Sequence, residues 1–408
     1  MKARFLSFFC GAATFALLVL AISPAAWAIQ ETRIHEFNGG VDPNGLVADS
    51  AGNLYGTTGS DGFYACGTVF QVRPSPYNIW TESTIYSFAG GSDGCGPEAV
   101  LTLDAHGNLY GTTQVGGGAC SCGTVFELKR SASGEWTETT LYSFAGGADG
   151  SNPRYTNLVF DAAGNLYGVT EFGGSTLGGT VFELSPQAGG GWTESVLHTF
   201  AGGASDGANP LGGLVFDTAG NLYGSASTGG SSHCGGGGCG GVFELSPQAG
   251  GGWQEQMLYF FQGGNDGADP DSLLIVDPAG NLYGMTGGGG KEGCGTVYKL
   301  SPSTGGVWSE RILHQFTGGP DGCAPFLNMV RNVAGALYGV AEAGGATDNG
   351  AIFQISPAGV EQVLFSFPGG NGGSDPRSLI LNSTRGALFG ITFGLGSTSS
   401  GIIFEIAN

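Results

Sequence analysis

Carboxylates are the residues of this sequence best suited to chemistry, and most of them recur. Glu31, Glu82, Glu138, Glu194, Glu255, Glu310 and Glu361 each stand six residues ahead of a phenylalanine. A general acid or base has that side chain, but an active site is a singular constellation, and a residue repeated in this way belongs to architecture. Their expected role is to cap a strand start. A second set, Asp93, Asp149, Asp206, Asp266 and Asp321, sits in Gly-Gly loops that end in Asp-Gly, with Asp42 in a related turn. Calcium wants about six to eight oxygens, so one carboxylate per loop is thin, and Asp-Gly is ordinary turn chemistry. His35, His198 and His314 occupy the slot held elsewhere by Tyr86, Tyr142, Tyr259 and Phe365. They read as aromatic fillers with a satisfied ring nitrogen. His233, Cys234 and Cys239 offer three zinc ligands without a fourth, and a small disulfide loop Cys234–Cys239 is the favoured reading. Gly90-Gly91-Ser92-Asp93-Gly94 fits the nucleophile-elbow formula, but strands flank it where that formula needs a strand-to-helix turn. No catalytic residue, metal or cofactor is therefore assigned.

The elements that hold these residues come from an internal repeat. Asn53-Leu54-Tyr55-Gly56 returns at Asn108, Asn165, Asn221 and Asn281, then as Ala336-Leu337-Tyr338-Gly339 and Ala387-Leu388-Phe389-Gly390. In the third copy, strands are expected at 157–161, 165–170, 179–184 and 194–200, with Gly164 taking positive φ in the first reversal and Pro186 ending the third strand. A four-stranded antiparallel meander repeated radially is the blade of a β-propeller. The final copy stops after its third strand, 401–406, while 31–37 is a fourth strand with no first three. Seven blades result only if the N-terminal strand completes the last one, which also hides two sheet edges. The expected fold is an all-β, seven-bladed propeller of four-stranded antiparallel blades, a single domain over 29–408.

Composition agrees. Glycine supplies 81 of 408 residues with no collagen period, and a hydrophobic fraction of 41% with 26 Phe and 13 Tyr excludes a disordered chain. The net charge of -20 argues against nucleic acid as a partner, because such binding needs a basic surface. Lys2 and Arg4, the apolar run 5–22 and Ala26-Trp27-Ala28 read as a cleaved signal peptide over 1–28. Its removal takes away two cations and Cys10, leaving a more acidic chain with an even number of cysteines, no expected membrane span and a secreted or periplasmic location.

The repeat text, Gly-Asn-Leu-Tyr-Gly, then Gly-Thr-Val-Phe-Glu-Leu-Ser-Pro, then Trp-Thr-Glu-x3-Tyr-x-Phe and Gly-Gly-x-Asp-Gly, resembles the GloVer-type tandem repeat of exported bacterial proteins. That resemblance implies an extracytoplasmic repeat protein, often with a C-terminal sorting anchor, and no established activity. The sequence departs from it in ending on the closing strand, so no anchor is expected.

Departures from the repeat are where function is sought. Cys66 and Cys294 precede Gly-Thr-Val, and Cys95 and Cys323 follow Asp-Gly, with the same separation in both pairs. Both loop types fall on one face, which predicts disulfides Cys66–Cys95 and Cys294–Cys323. Cys120 and Cys122 could join only across a strained loop. Residues just after the proline that opens each first strand stand at the rim of the central channel and do not repeat: Glu98, Arg154-Tyr155, Leu211, Asp271, Phe326 and Arg377, with one extra residue in the third blade. Mixed charge with aromatics at a concave mouth is the composition of a ligand site. Arg154 and Arg377 are the expected donors and Tyr155 the stacking face. Two functions remain: a monomeric binding module for an extracytoplasmic glycan, peptide or surface partner, or a propeller lyase or hydrolase with its pocket at the channel mouth.

Overall fold

The computed structural model describes residues 30–37, 41–77, 79–382, 386–394 and 401–407. The expected signal peptide lies outside them. Seven antiparallel sheets form a ring, and the N-terminal strand Gln30–Glu36 is the outer strand of the seventh blade. It pairs with Ile402–Ala407 in the register Glu31 to Ile406 and Glu36 to Ile402. The third blade holds strands Val159–Phe160, Leu166–Thr170, Thr180–Pro186 and Trp192–Thr199. Its third strand runs two residues beyond the expected end, and Pro186 pairs with Trp192 as the terminal residue, where no ladder donor is needed.

Each of the first five blades is locked locally by an aspartate in its first reversal. Asp161 Oδ1 accepts the amides of Ala163 and Asn165 at 2.8 and 2.9 Å, while Oδ2 accepts Asn165 Nδ2 at 2.8 Å and the Tyr167 hydroxyl at 3.1 Å. Gly164 closes the turn at φ 87°. The glycine of Leu-Tyr-Gly has a different purpose. A Cβ on Gly168 would lie 2.6 Å from Phe182 Cζ, and the same clash recurs where Gly56 meets Phe70 and Gly111 meets Phe126. The missing side chain lets the third-strand ring lie flat over the second strand.

Phenylalanines carry the blade-to-blade contact. The Phe that ends each Glu-x5-Phe meets the third-strand ring of the next blade edge-on: Phe88 on Phe126 at 5.0 Å, Phe144 on Phe182 at 5.1 Å, Phe261 on Tyr298 at 4.9 Å. Phe367 on Phe404 and Phe37 on Phe70 complete the circuit through the seventh blade and back to the first. Trp136, Trp253 and Trp308 add a second layer against Tyr55, Tyr167 and Tyr223 of the preceding blade. Nearer the axis, in the second to seventh blades the residue before the opening proline donates its amide to the preceding blade, as Asn152 does to the Cys122 carbonyl at 2.8 Å. Asp42 holds the pre-proline position of the first blade and does not belong to the Asp-Gly loops.

The outer-strand glutamates do not cap. Glu138, Glu194, Glu255, Glu310 and Glu361 face the Asp of the preceding blade's loop across the boundary, and Oε1 of the last four is enclosed without a hydrogen-bond partner. Burial, reinforced by Asp149 beside Glu194 and Asp266 beside Glu310, pushes both carboxyls up to about 7. The loop aspartates themselves do turn work: Asp149 accepts the Tyr142 hydroxyl at 2.6 Å and the Ala145 amide at 2.5 Å. His314 replaces that tyrosine and reaches Asp321 at 3.1 Å. His198 packs on Phe200 as a filler should, but its Nε2 has no hydrogen-bond partner, which corrects the expectation of a satisfied nitrogen.

Disulfides join Cys66–Cys95, Cys294–Cys323, Cys234–Cys239 and Cys120–Cys122. The first two tie the loop before a third strand to the loop leaving the fourth, and so place both loop types on one face. No helix among the described residues is long and apolar enough to cross a membrane.

Candidate functional site at the channel mouth

The same face carries the entrance of the central channel. One continuous set of contacts crosses it. Arg154 Nε donates to Glu98 Oε2 at 2.7 Å, its Nη2 donates to the Tyr155 hydroxyl at 2.7 Å, and its guanidinium lies 4.4 Å from the Tyr155 ring centroid. Tyr155 meets Phe326 edge-on at 5.5 Å, joining the third blade to the sixth. Arg377 of the seventh blade stacks over Phe393 at 4.0 Å and Phe326 at 5.4 Å, and stands 3.5 Å from Glu342.

The extra residue of the third blade explains how a tyrosine reaches so far. Tyr155 sits at φ 51°, in the left-handed region that side chains avoid at a cost of about 1–3 kcal/mol. The backbone kink turns the ring out of the wall and into the channel. Phe326 is met from the opposite side beside Leu327, itself at φ 56°. Burial raises the Tyr155 phenol, and Glu98 adds to the effect.

Five further carboxylates gather here. Asp271 is partly buried with its Oδ1 enclosed and without a partner, and burial with nearby Glu342 and Asp269 pushes it up to about 8. Burial also raises Glu171, Glu342, Asp269 and Asp375, the arginines pulling the other way at Glu171, Glu342 and Asp375. A mouth with both guanidiniums already paired and its acids crowded offers mainly acceptors, protons and ring faces. A hollow of about 530 Å³ lies among inner-strand residues Val47, Leu103, Val159, Phe160 and Phe216, with Thr102 and Asn157 also in its wall, so polar and apolar surface share it about equally.

Of the rim residues read from sequence, Glu98, Arg154, Tyr155, Phe326 and Arg377 converge in direct contact, and Asp271 joins through the field of Glu342. Leu211 does not; it remains in the inner-strand ladder opposite Ser225. Glu171, Glu342 and Phe393 were missed. All three fill one slot, the third residue after Tyr/Phe-Gly of the second strand, a slot that reads Gly59, Gln114, Ser227 and Gly287 elsewhere. Searching that slot for departures would have found them.

A closed seven-bladed propeller with one aperiodic, charged and aromatic mouth is the class that fold and site define. Within it, the chain belongs to the Gloeobacter/Verrucomicrobia repeat family, which matches residues 19–237 and 234–408. No curated protein matches it in sequence. Among solved structures it is similar in fold to virginiamycin B lyase from Staphylococcus aureus, at 12% identity and TM-score 0.56, over 93% of this chain and 99% of that one. It is also similar to the extracellular domain of the one-component system BT4673 from B. thetaiotaomicron, at 9% identity and TM-score 0.53, over 92% of this chain and 39% of that one. PorZ of the type-IX secretion system of Porphyromonas gingivalis gives 16% identity and TM-score 0.51, over 90% and 47%.

Proposed function

We propose that this propeller is an extracytoplasmic binding module whose ligand, a hydroxyl-rich molecule of the glycan type, seats at the channel mouth. The observation that carries this reading is the contact set from Glu98 through Arg154, Tyr155 and Phe326 to Arg377. Hydroxyls bind where carboxylate acceptors and guanidinium donors alternate, and a sugar face stacks on an aromatic ring. An anionic ligand is disfavoured, since it would have to displace Glu98 and Glu342 from the arginines that an anion needs. Four disulfides suit an oxidising compartment, and two of the fold neighbours are by their names an extracellular domain and a secretion-system surface component. Glycan-array binding followed by titration tests the reading. The Arg154→Ala, Arg377→Ala double variant should bind at least about tenfold more weakly, a cost of about 1.4 kcal/mol, at unchanged melting temperature. Undiminished binding would move the site off the mouth.

A second reading rests on Asp271. A carboxyl held near pKa 8 keeps its proton at neutral pH and can donate it, as an acid in a lyase or hydrolase must. One fold neighbour is a lyase by name. Turnover of lactones or polysaccharides that disappears in Asp271→Asn would support catalysis, and no turnover across both substrate classes would leave binding alone.

A further inference from the structure

Three metal-ligating side chains meet outside the mouth, at the boundary of the third and fourth blades. His198 belongs to the outer strand Trp192–Thr199, Asp206 to the loop that follows, and Glu255 to the next blade's outer strand Trp253–Phe260. One donor atom from each lies within 4.8 Å of the others, and this is the sole such trio of His, Cys, Asp or Glu among the described residues.

Two local departures from the repeat create it. Where Tyr86, Tyr142 and Tyr259 donate a hydroxyl to the loop aspartate at 2.6–3.0 Å, the third blade has a histidine. The loop after it carries one additional residue, Ala204-Ser205 standing where the second blade has Ala148 alone. The short 3-10 turns Gly147–Asp149 and Gly264–Asp266 have no counterpart here. Asp206 is consequently drawn back, held by the Ala201 amide at 2.6 Å and the Gly207 amide at 2.7 Å, and His198 Nε2 lies 3.7 Å from its Oδ1, within ion-pair distance when the ring is protonated but too far for a hydrogen bond. Both His198 Nε2 and Glu255 Oε1 are enclosed and lack a hydrogen-bond partner. Leaving two such groups facing one another is costly unless something sits between them.

We propose that His198, Asp206 and Glu255 bind a divalent transition metal of the zinc class, which clips the third blade to the fourth. One imidazole and two carboxylates form a nitrogen-and-oxygen set that suits zinc and its neighbours, whereas calcium takes oxygen alone. The two amides on Asp206 act as the outer shell that orients a ligating carboxylate. The side chains of His198 and Asp206 keep about a fifth and a seventh of their surface exposed, which leaves an entry path and room for water on the metal.

The fifth and sixth blades supply an internal control. There His314 reaches Asp321 at 3.1 Å and the ring nitrogen is satisfied. The test is calorimetric titration of the full chain, stripped with chelator, using zinc, manganese and calcium salts in parallel, with melting read in each. The expected result is one zinc per chain with a raised melting temperature and no response to calcium. His198→Tyr installs the side chain of the other blades in the same slot, so it should fold and lose zinc by about tenfold or more, as should Glu255→Gln. His314→Tyr should bind like the parent. Absence of zinc binding by the parent, or equal binding by His198→Tyr and Glu255→Gln, overturns the site.

Discussion

The blade boundaries and the channel mouth are built from the same repeats by opposite rules. At the boundaries the same kinds of contact recur in the same place: a phenylalanine edge at every seam, a tryptophan over a tyrosine at three of them, a pre-proline amide on the preceding carbonyl. At the mouth the equivalent positions do not repeat around the ring, and acids crowd together. Periodicity marks what holds the molecule, and its failure marks what the molecule presents. Damage to the first should show as stability, and damage to the second as binding.

The severest test removes the closing strand. Deleting residues 29–38 leaves the outer edge of Ile402–Ala407 unpaired and takes Phe37 from Phe70, and the truncated chain should aggregate on size exclusion. A monomer with the parent's melting temperature would refute the closure. Next, Phe182→Ala removes a fully buried ring from one boundary and should cost about 3–5 kcal/mol in denaturant unfolding. Opening Cys66–Cys95 with paired serines should cost about 3.5 kcal/mol in the chain-entropy account, detectable as a lower midpoint without loss of the fold.

A milder effect is expected from pH. Glu194 and Glu310 hold protons more tightly folded than unfolded, so their contribution is full below about 4.5 and is lost as pH rises through about 7. Burial would raise Asp161 too, but the hydrogen bonds from Asn165, Tyr167 and Ala163 hold it below the usual range, so its contribution is lost only in stronger acid. Melting temperature should therefore rise on going from pH 8 to pH 5, and Glu310→Gln should flatten that rise. The smallest stability change belongs to Tyr155→Gly. Relief of a left-handed tyrosine, about 1–3 kcal/mol, offsets the lost ring contact with Phe326, about 0.5–1.5 kcal/mol, and the lost hydrogen bond from Arg154, about 0.5–1.5 kcal/mol. Melting should hardly move while ligand binding falls, which separates the two regions most cleanly.

The ring was legible because its determinants are local and recur: a turn aspartate, a glycine beneath a ring and a spaced Glu-x5-Phe repeat can each be checked against its copies. The mouth was legible only in part. Residues after the opening prolines are next to an obvious landmark, but Glu171, Glu342 and Phe393 approach from the second strand, and one rim was read where two converge. That Tyr155 touches Phe326 depends on the curvature of the whole ring, for which no stretch of sequence carries a signal. The glutamates were misread as caps because a strand start is visible in sequence while the preceding blade's aspartate is not.

The pairing of Gln30–Glu36 with Ile402–Ala407 has a consequence in time. The first described strand to emerge is the one that waits longest for its partner. At about 5–20 residues per second, roughly 20–80 seconds separate the two during synthesis. Six blades can be laid down in order, each against its predecessor, but the seventh is assembled from both ends of the chain at once. A polypeptide that stops before Ile402–Ala407 therefore lacks this seam and leaves the edge of Gln30–Glu36 open.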